Sequence, residues 1–124
     1  MRRDSYILVV DDEPNIRRLL RLALAREGYR VKTASTGIEC LEVVDEQPPA
    51  VILLDMQMPG MHGREVLNAL EQRDLSDDLQ VIVVSGSTQV EDVADMSGVE
   101  GFLQKPFDLY HLAEMGEQLW RSST

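Results

Sequence analysis

The sequence predicts an α/β domain with a parallel five-stranded sheet, and three observations carry that prediction. Short apolar runs recur along the chain: Ile7-Leu8-Val9-Val10, Val51-Ile52-Leu53-Leu54 and Val81-Ile82-Val83-Val84 are unbroken, as strands buried on both faces are. Between the runs lie stretches with apolar residues at helical spacing. Two of the runs end in acids, Asp11-Asp12-Glu13 and Asp55. Those acids stand at the carboxyl edge of the sheet, where open α/β folds bind ligands.

Each element has its own signal. Tyr6 to Val10 reads as strand one. Helix one is opened by Asp12-Glu13-Pro14, with Pro14 suited to the first turn, and Gly28 stops it. Its apolar face is Ile16, Leu19, Leu20, Ala23 and Leu24. Tyr29 to Ala34 alternates apolar and polar residues and reads as an exposed edge strand. Ser35 or Thr36 caps helix two, with Ile38, Leu41 and Val44 facing inward, and Pro48-Pro49 ends it. Val51 to Leu54 is strand three, and Gly63 to Gln72 is helix three, with Val66, Leu67 and Leu70 apolar. Val81 to Val84 is strand four. A short fourth helix covers Val90 to Met96 and ends by Gly98; Phe102-Leu103 lies in strand five. Asp108 caps a last helix carrying Leu109, Leu112 and Leu119. Strands alternating with helices imply right-handed crossovers. The three most apolar strands belong at the centre and the half-polar second strand at an edge, which gives the order 2-1-3-4-5. Strands one and three are then neighbours, and Asp11, Asp12 and Asp55 converge.

At 124 residues the chain is expected to form one domain over residues 1–124, with no repeats or linker. The formal net charge of −10 argues against nucleic-acid binding by this chain and favours cations or basic partners. Cys40 is the only cysteine, so no internal disulfide can form. With no apolar run long enough for a membrane span and a strand pattern starting almost at Met1, the expected location is the cytoplasm.

Four motifs in order, each at the carboxyl end of a strand, resemble the receiver domain of two-component response regulators. They are Val10-Asp11-Asp12-Glu13, Leu54-Asp55-Met56-Gln57-Met58-Pro59-Gly60-Met61-His62-Gly63, Val84-Ser85-Gly86 and Gly101-Phe102-Leu103-Gln104-Lys105-Pro106-Phe107. The resemblance covers almost the whole chain and implies a flavodoxin-like (βα)5 three-layer sandwich. It also implies a signalling domain, not an enzyme in its own right, that takes a phosphoryl group from a sensor histidine kinase or phosphotransfer protein. In that family the fourth helix, strand five and last helix form the output face, and a homodimer through that face is a further expectation. The short acidic segment Thr88 to Met96 departs from the usual fourth helix and bears on partner choice.

The residues have chemistry that fits. Asp55 is the expected nucleophile, forming an acyl phosphate; the alternative is a helix-capping or metal-only aspartate. Asp11, Asp12, Asp55 and the backbone carbonyl of Gln57 are expected to bind Mg2+, which prefers oxygen ligands. Helix capping is the other reading of the acid pair, and Glu13 reads as an ordinary first-turn charge. Lys105 supplies a positive charge for Asp55 and for the phosphate, and a cis Lys105–Pro106 bond is expected. Ser85 donates its hydroxyl to the phosphate, where the family often has Thr. Phe102 matches the aromatic switch residue, with simple packing as the competing role. Gln57 and Ser87 flank the path of the hydrolytic water and are expected to set the phosphoryl lifetime. Met56, Met58 and Met61 are read as lining the cleft or packing under it and not as chemical groups, His62 and His111 as surface residues, and Cys40 as core or boundary filler. The location of Trp120 leaves its role open.

Three other functions fit these residues less well. An aspartate-nucleophile phosphatase usually carries a second acid two residues on, where this chain has Gln57. A flavin electron carrier needs a phosphate-cradling first loop, where this chain has three acids. A phosphorylation-independent interaction module usually shows losses among the acids or the lysine, and none is lost here.

Overall fold

Strands that bury both faces need a helical layer on each side, and the arrangement of the apolar side chains follows from that requirement. The computed structural model describes residues 5–58, 60–73, 79–85 and 99–104, with residues 85 and 100–104 described by their backbone alone. The elements are β1 (Ile7–Val10), α1 (Pro14–Arg26), β2 (Val31–Ala34), α2 (Gly37–Glu46), β3 (Val51–Asp55), α3 (Gly63–Glu71), β4 (Gln80–Ser85) and β5 (Val99–Gln104). The sheet is parallel throughout, in the order β2-β1-β3-β4-β5. The expected order is therefore the observed one. The expected fourth and last helices, together with Ser87, Lys105, Pro106, His111 and Trp120, lie outside the described residues.

Alternate residues of the strands feed two separate cores. Leu8, Val10, Ile52, Leu54, Val81 and Val83 pack with Cys40 and Val44 of α2 and Val66, Leu67 and Leu70 of α3. Ile7, Val9, Val51, Leu53, Ile82 and Val84 pack with Leu20 and Leu24 of α1. Every residue of β1 and β3 is buried, as their apolar runs require. In β2 only Ala34 is buried and Lys32 is exposed, which suits an edge. β4 and β5 pair with a shift between Val81 and Ile82: Val81 faces Val99 and Ile82 faces Gly101, leaving Glu100 as the extra residue.

Three strands extend past their predicted ends. β3 runs on to include Asp55, β4 spans Gln80 to Ser85, and β5 spans Val99 to Gln104. The polar residues at these ends carry no hydropathy signal, but ladder hydrogen bonds hold them in register. Two predicted inward residues also turn out exposed. Leu19 is 45% and Ile38 60% exposed. A helix advances about 100° per residue. The buried line of α1 runs through Leu20 and Leu24, and that of α2 through Cys40 and Val44, so Leu19 and Ile38 fall off those lines.

The helix ends obey local chemistry. At the end of α1, the Tyr29 N–H donates to the Leu24 carbonyl at 3.2 Å and the Gly28 N–H to the Ala25 carbonyl at 3.0 Å. This is a Schellman closure, and Gly28 accepts the φ of +93° that it demands. Thr36 caps α2 by accepting from the Glu39 N–H at 3.1 Å. The Arg73 guanidinium grips the Asp45 carboxylate at 2.7 and 3.1 Å, tying the end of α3 to α2 and holding the Asp45 carboxyl below its ordinary pKa.

Tyr6 is fully buried, and its hydroxyl donates to the Gln47 carbonyl. Burial, helped by negative charge on Cys40 and Glu46, pushes the Tyr6 hydroxyl up from 10.0 to about 12. Burial likewise pushes the Cys40 thiol up from 9.0 to about 12, with the Arg73 charge opposing. An unfolded chain gives up both protons at lower pH. The stability tied to these protons is therefore complete below about pH 9 and is lost as pH rises toward about 12. The urea midpoint should hold level to about pH 9 and then fall, and Cys40→Ala should make the fall shallower. Parallel alkaline limbs in the two proteins would rule out the Cys40 contribution.

Candidate functional site

β1 and β3 lie side by side, with Val10 opposite Leu54. The next position on each strand is an aspartate, Asp11 and Asp55. The Asp11 N–H donates to the Ala34 carbonyl at 3.2 Å and the Met56 N–H to the Val84 carbonyl at 3.1 Å, so ladder bonding continues to the sheet edge on both sides. Asp11, Asp12 and Asp55 each offer a carboxylate oxygen, and these oxygens all lie within 4.8 Å of one another. Asp11 and Asp55 are only 1% and 3% exposed, and Asp12 is half-buried.

One geometry is repeated at both strand ends. Asp11 Oδ1 accepts from the Glu13 N–H at 3.0 Å, and Asp55 Oδ1 accepts from the Gln57 N–H at 3.1 Å. In each turn a carboxylate is anchored by the N–H two residues on, which fixes its direction. At separations of 4.8 Å or less, two full charges at an effective dielectric of about 20 would repel by roughly 3.5 kcal/mol or more. A cluster of three carboxylates, the donor set among the described residues, suits a hard divalent cation.

Tight packing holds the loop after Asp55. Met58 is buried in the core on the α2 and α3 side, with Met56 and Met61 packed against it, as the packing role for these methionines predicts. Gly60 takes a φ of +83°. A Cβ on Gly63 would lie 2.8 Å from Met56 Cα and would collide with Met56 Sδ, so the first turn of α3 sits hard against the residue following Asp55. His62 is exposed at the start of α3, where the Glu65 carboxylate accepts from its N–H at 3.4 Å. Glu13 is exposed as the N-cap of α1.

Of the other expected site residues, Gln57 is exposed beside Asp55. The backbone of Ser85 ends β4 opposite Gln104, and that of Phe102 lies in β5 opposite Val83. Lys105 and Ser87 are outside the described residues. Sequence reasoning missed Arg17, whose Nη1 donates to the Asp11 carbonyl at 2.8 Å. Nothing in the sequence separates it from Arg18, Arg21 and Arg26 on the same helix.

Comparison with known proteins identifies this arrangement. Residues 7–117 match the sequence profile of the response regulator receiver domain. The chain belongs to that family. It is 40% identical over 107 residues to the transcriptional regulatory protein KdpE of Mycobacterium tuberculosis, covering 85% of this chain and 46% of KdpE. It is 39% identical over 120 residues to the response regulator MprA of a Mycobacterium species, covering 94% of this chain and 51% of MprA. The chain thus spans about half the length of these curated relatives. Among solved structures, the Vibrio cholerae chemotaxis protein CheY4 superposes with a TM-score of 0.84 at 27% identity, covering 93% of this chain and 98% of CheY4. The response regulator TrrA of Thermotoga maritima superposes with a TM-score of 0.81 at 33% identity, with the same coverage. The fold is therefore that of CheY-like receivers, and the chain is a two-component signalling domain. No helix of this receiver domain, among the described residues, is long and apolar enough to cross a membrane.

The contact between Gly63 and Met56 makes a specific demand. Gly63→Ala should force the Met56 backbone away and destabilise the receiver domain by about 1–3 kcal/mol, read from urea unfolding. An unchanged midpoint would mean that this turn has slack.

Proposed function

We propose that this receiver domain, one unit over residues 1–124, is a Mg2+-dependent phosphoacceptor that signals in the cytoplasm. The observation that carries this reading is the meeting of Asp11, Asp12 and the buried Asp55 within 4.8 Å at the carboxyl edge of the sheet. A sensor histidine kinase or phosphotransfer protein would present a phosphohistidine. An Asp55 carboxylate oxygen attacks the phosphorus, the P–N bond breaks, and the imidazole leaves and takes up a proton. The product is an acyl phosphate on Asp55, which the domain itself can hydrolyse.

Asp11, Asp12, Asp55 and the Gln57 carbonyl would hold Mg2+. When bound, the ion offsets negative charge on the phosphoryl group and on the acids around it. The oxygen-only donor set supports this choice of ion, as does the likeness to TrrA, whose structure is described as a complex with Mg(2+)-BeF. Lys105 would pair with the phosphate, Ser85 would donate its hydroxyl to it, and Phe102 would carry the change toward the output face. That face, formed by the fourth helix, β5 and the last helix, would meet a partner or a second copy. Gln57 and Ser87 would time hydrolysis. With a net charge of −10, this chain itself would not contact nucleic acid.

Incubation with acetyl phosphate and Mg2+ should add the mass of one phosphoryl group, and Asp55→Asn should abolish the gain. Equal labelling of the two proteins would remove Asp55 from the mechanism. At about ten times its Kd, Mg2+ should raise Tm by roughly 3–8 °C, and Asp12→Ala should erase the shift. Loss of phosphate should change in rate in Gln57→Ala and Ser87→Glu; decay of both at the parent rate would exclude these side chains from timing.

A further inference from the structure

We propose that Arg17 is the positioning residue of the acid pair: by clamping the Asp11 carbonyl, it sets the turn that presents Asp11 and Asp12 to the cation. This rests on the reading of the cluster as a Mg2+-dependent phosphoacceptor site.

The turn between Val10 and Pro14 consists of three acids, Asp11, Asp12 and Glu13. Mutual repulsion would drive their side chains apart and outward, yet Asp11 is only 1% exposed. α1 does little to hold the turn through its own cap, because the Glu13 side chain makes no capping hydrogen bond and the first turn of the helix holds no acid. Backbone donation from Asp11 to Ala34 and from Glu13 to Asp11 Oδ1 fixes one side of the turn. Arg17 fixes the other. One turn into α1, it sends its guanidinium back to the Asp11 carbonyl at 2.8 Å.

Arg17 is half-buried in making this bond, whereas Arg18, Arg21 and Arg26 of the same helix are exposed. The bond is charge-assisted and short, as strong guanidinium contacts are. The carbonyl it holds belongs to the planar peptide unit joining Asp11 to Asp12. Holding that oxygen therefore orients the backbone on which the Asp12 carboxylate stands. Arg17 need not touch the cation to govern its affinity.

Arg17 also brings a positive charge near the acids. Charge alone would weaken cation binding, so its removal would tighten the site. Positioning makes the opposite prediction.

The test measures Mg2+ binding by calorimetry, and the Mg2+ dependence of phosphorylation by acetyl phosphate, in the full chain and in Arg17→Met, Arg17→Lys and Arg18→Met. In Arg17→Met the Kd and the half-saturating Mg2+ concentration should rise roughly tenfold, while the rate at saturating Mg2+ stays within about twofold of the parent. Arg17→Lys, which keeps a donor, should recover part of the affinity, and Arg18→Met should match the parent. If Arg17→Met does not fold, as judged by its urea transition, Arg17→Gln replaces it with a neutral donor, and its Kd should rise above those of the parent and of Arg17→Lys. An Arg17 variant that binds Mg2+ as tightly as the parent, or more tightly, overturns the proposal while leaving the phosphoacceptor reading intact. A parent protein that binds no Mg2+ overturns both.

Discussion

The crowding of Asp11, Asp12 and Asp55 at one edge of the sheet is the constraint around which the rest of the structure is organised. Carboxylates held within 4.8 Å of one another, two of them nearly inaccessible to water, oppose folding by repulsion and by desolvation. They stay together because the chain around them leaves no alternative. Every residue of their strands, β1 and β3, is buried, and sliding either by one residue would exchange its side chains between the two cores and disturb the packing of both. Apolar burial in the centre of the sheet thus holds charge at its rim.

The two cores divide the work of placing the acids. On one face, α1 packs on Ile7, Val9 and Leu53 through Leu20 and Leu24, and from there its first turn reaches the Asp11 carbonyl through Arg17. On the other, α2 and α3 pack on Leu8, Ile52 and Leu54, and the start of α3 presses through Gly63 on Met56. Asp11 and Asp55 are therefore each steadied by a different helix layer. Any ion or group that relieves their repulsion therefore acts on residues anchored in both layers.

Membership of the receiver family gives this constraint a purpose. KdpE and MprA are described as regulators, and the matched chain spans about half of each. The helices that would carry an output face fall outside the described residues, whereas the acid pocket lies within them.

The sequence by itself determined the sheet, its order and the meeting of the three acids. Unbroken apolar runs can be satisfied only by burial on both faces, and right-handed crossovers then leave few ways to arrange them. The stop at Gly28, the cap at Thr36 and the edge position of β2 were legible for the same local reasons. Tertiary structure alone decided the rest. Leu19 and Ile38 are as apolar as their buried neighbours, and only the docking angle of each helix puts them in solvent. The extension of β4 to Gln80 and Ser85 depends on partners in β3 and β5, not on the hydropathy of those residues. Arg17 is one arginine among four on α1, and its sequence context marks it as an ordinary solvated charge. Its contact with Asp11 exists because packing of α1 on β1 brings a long side chain within reach of one backbone oxygen, and a distance of that kind has no signature in the order of residues.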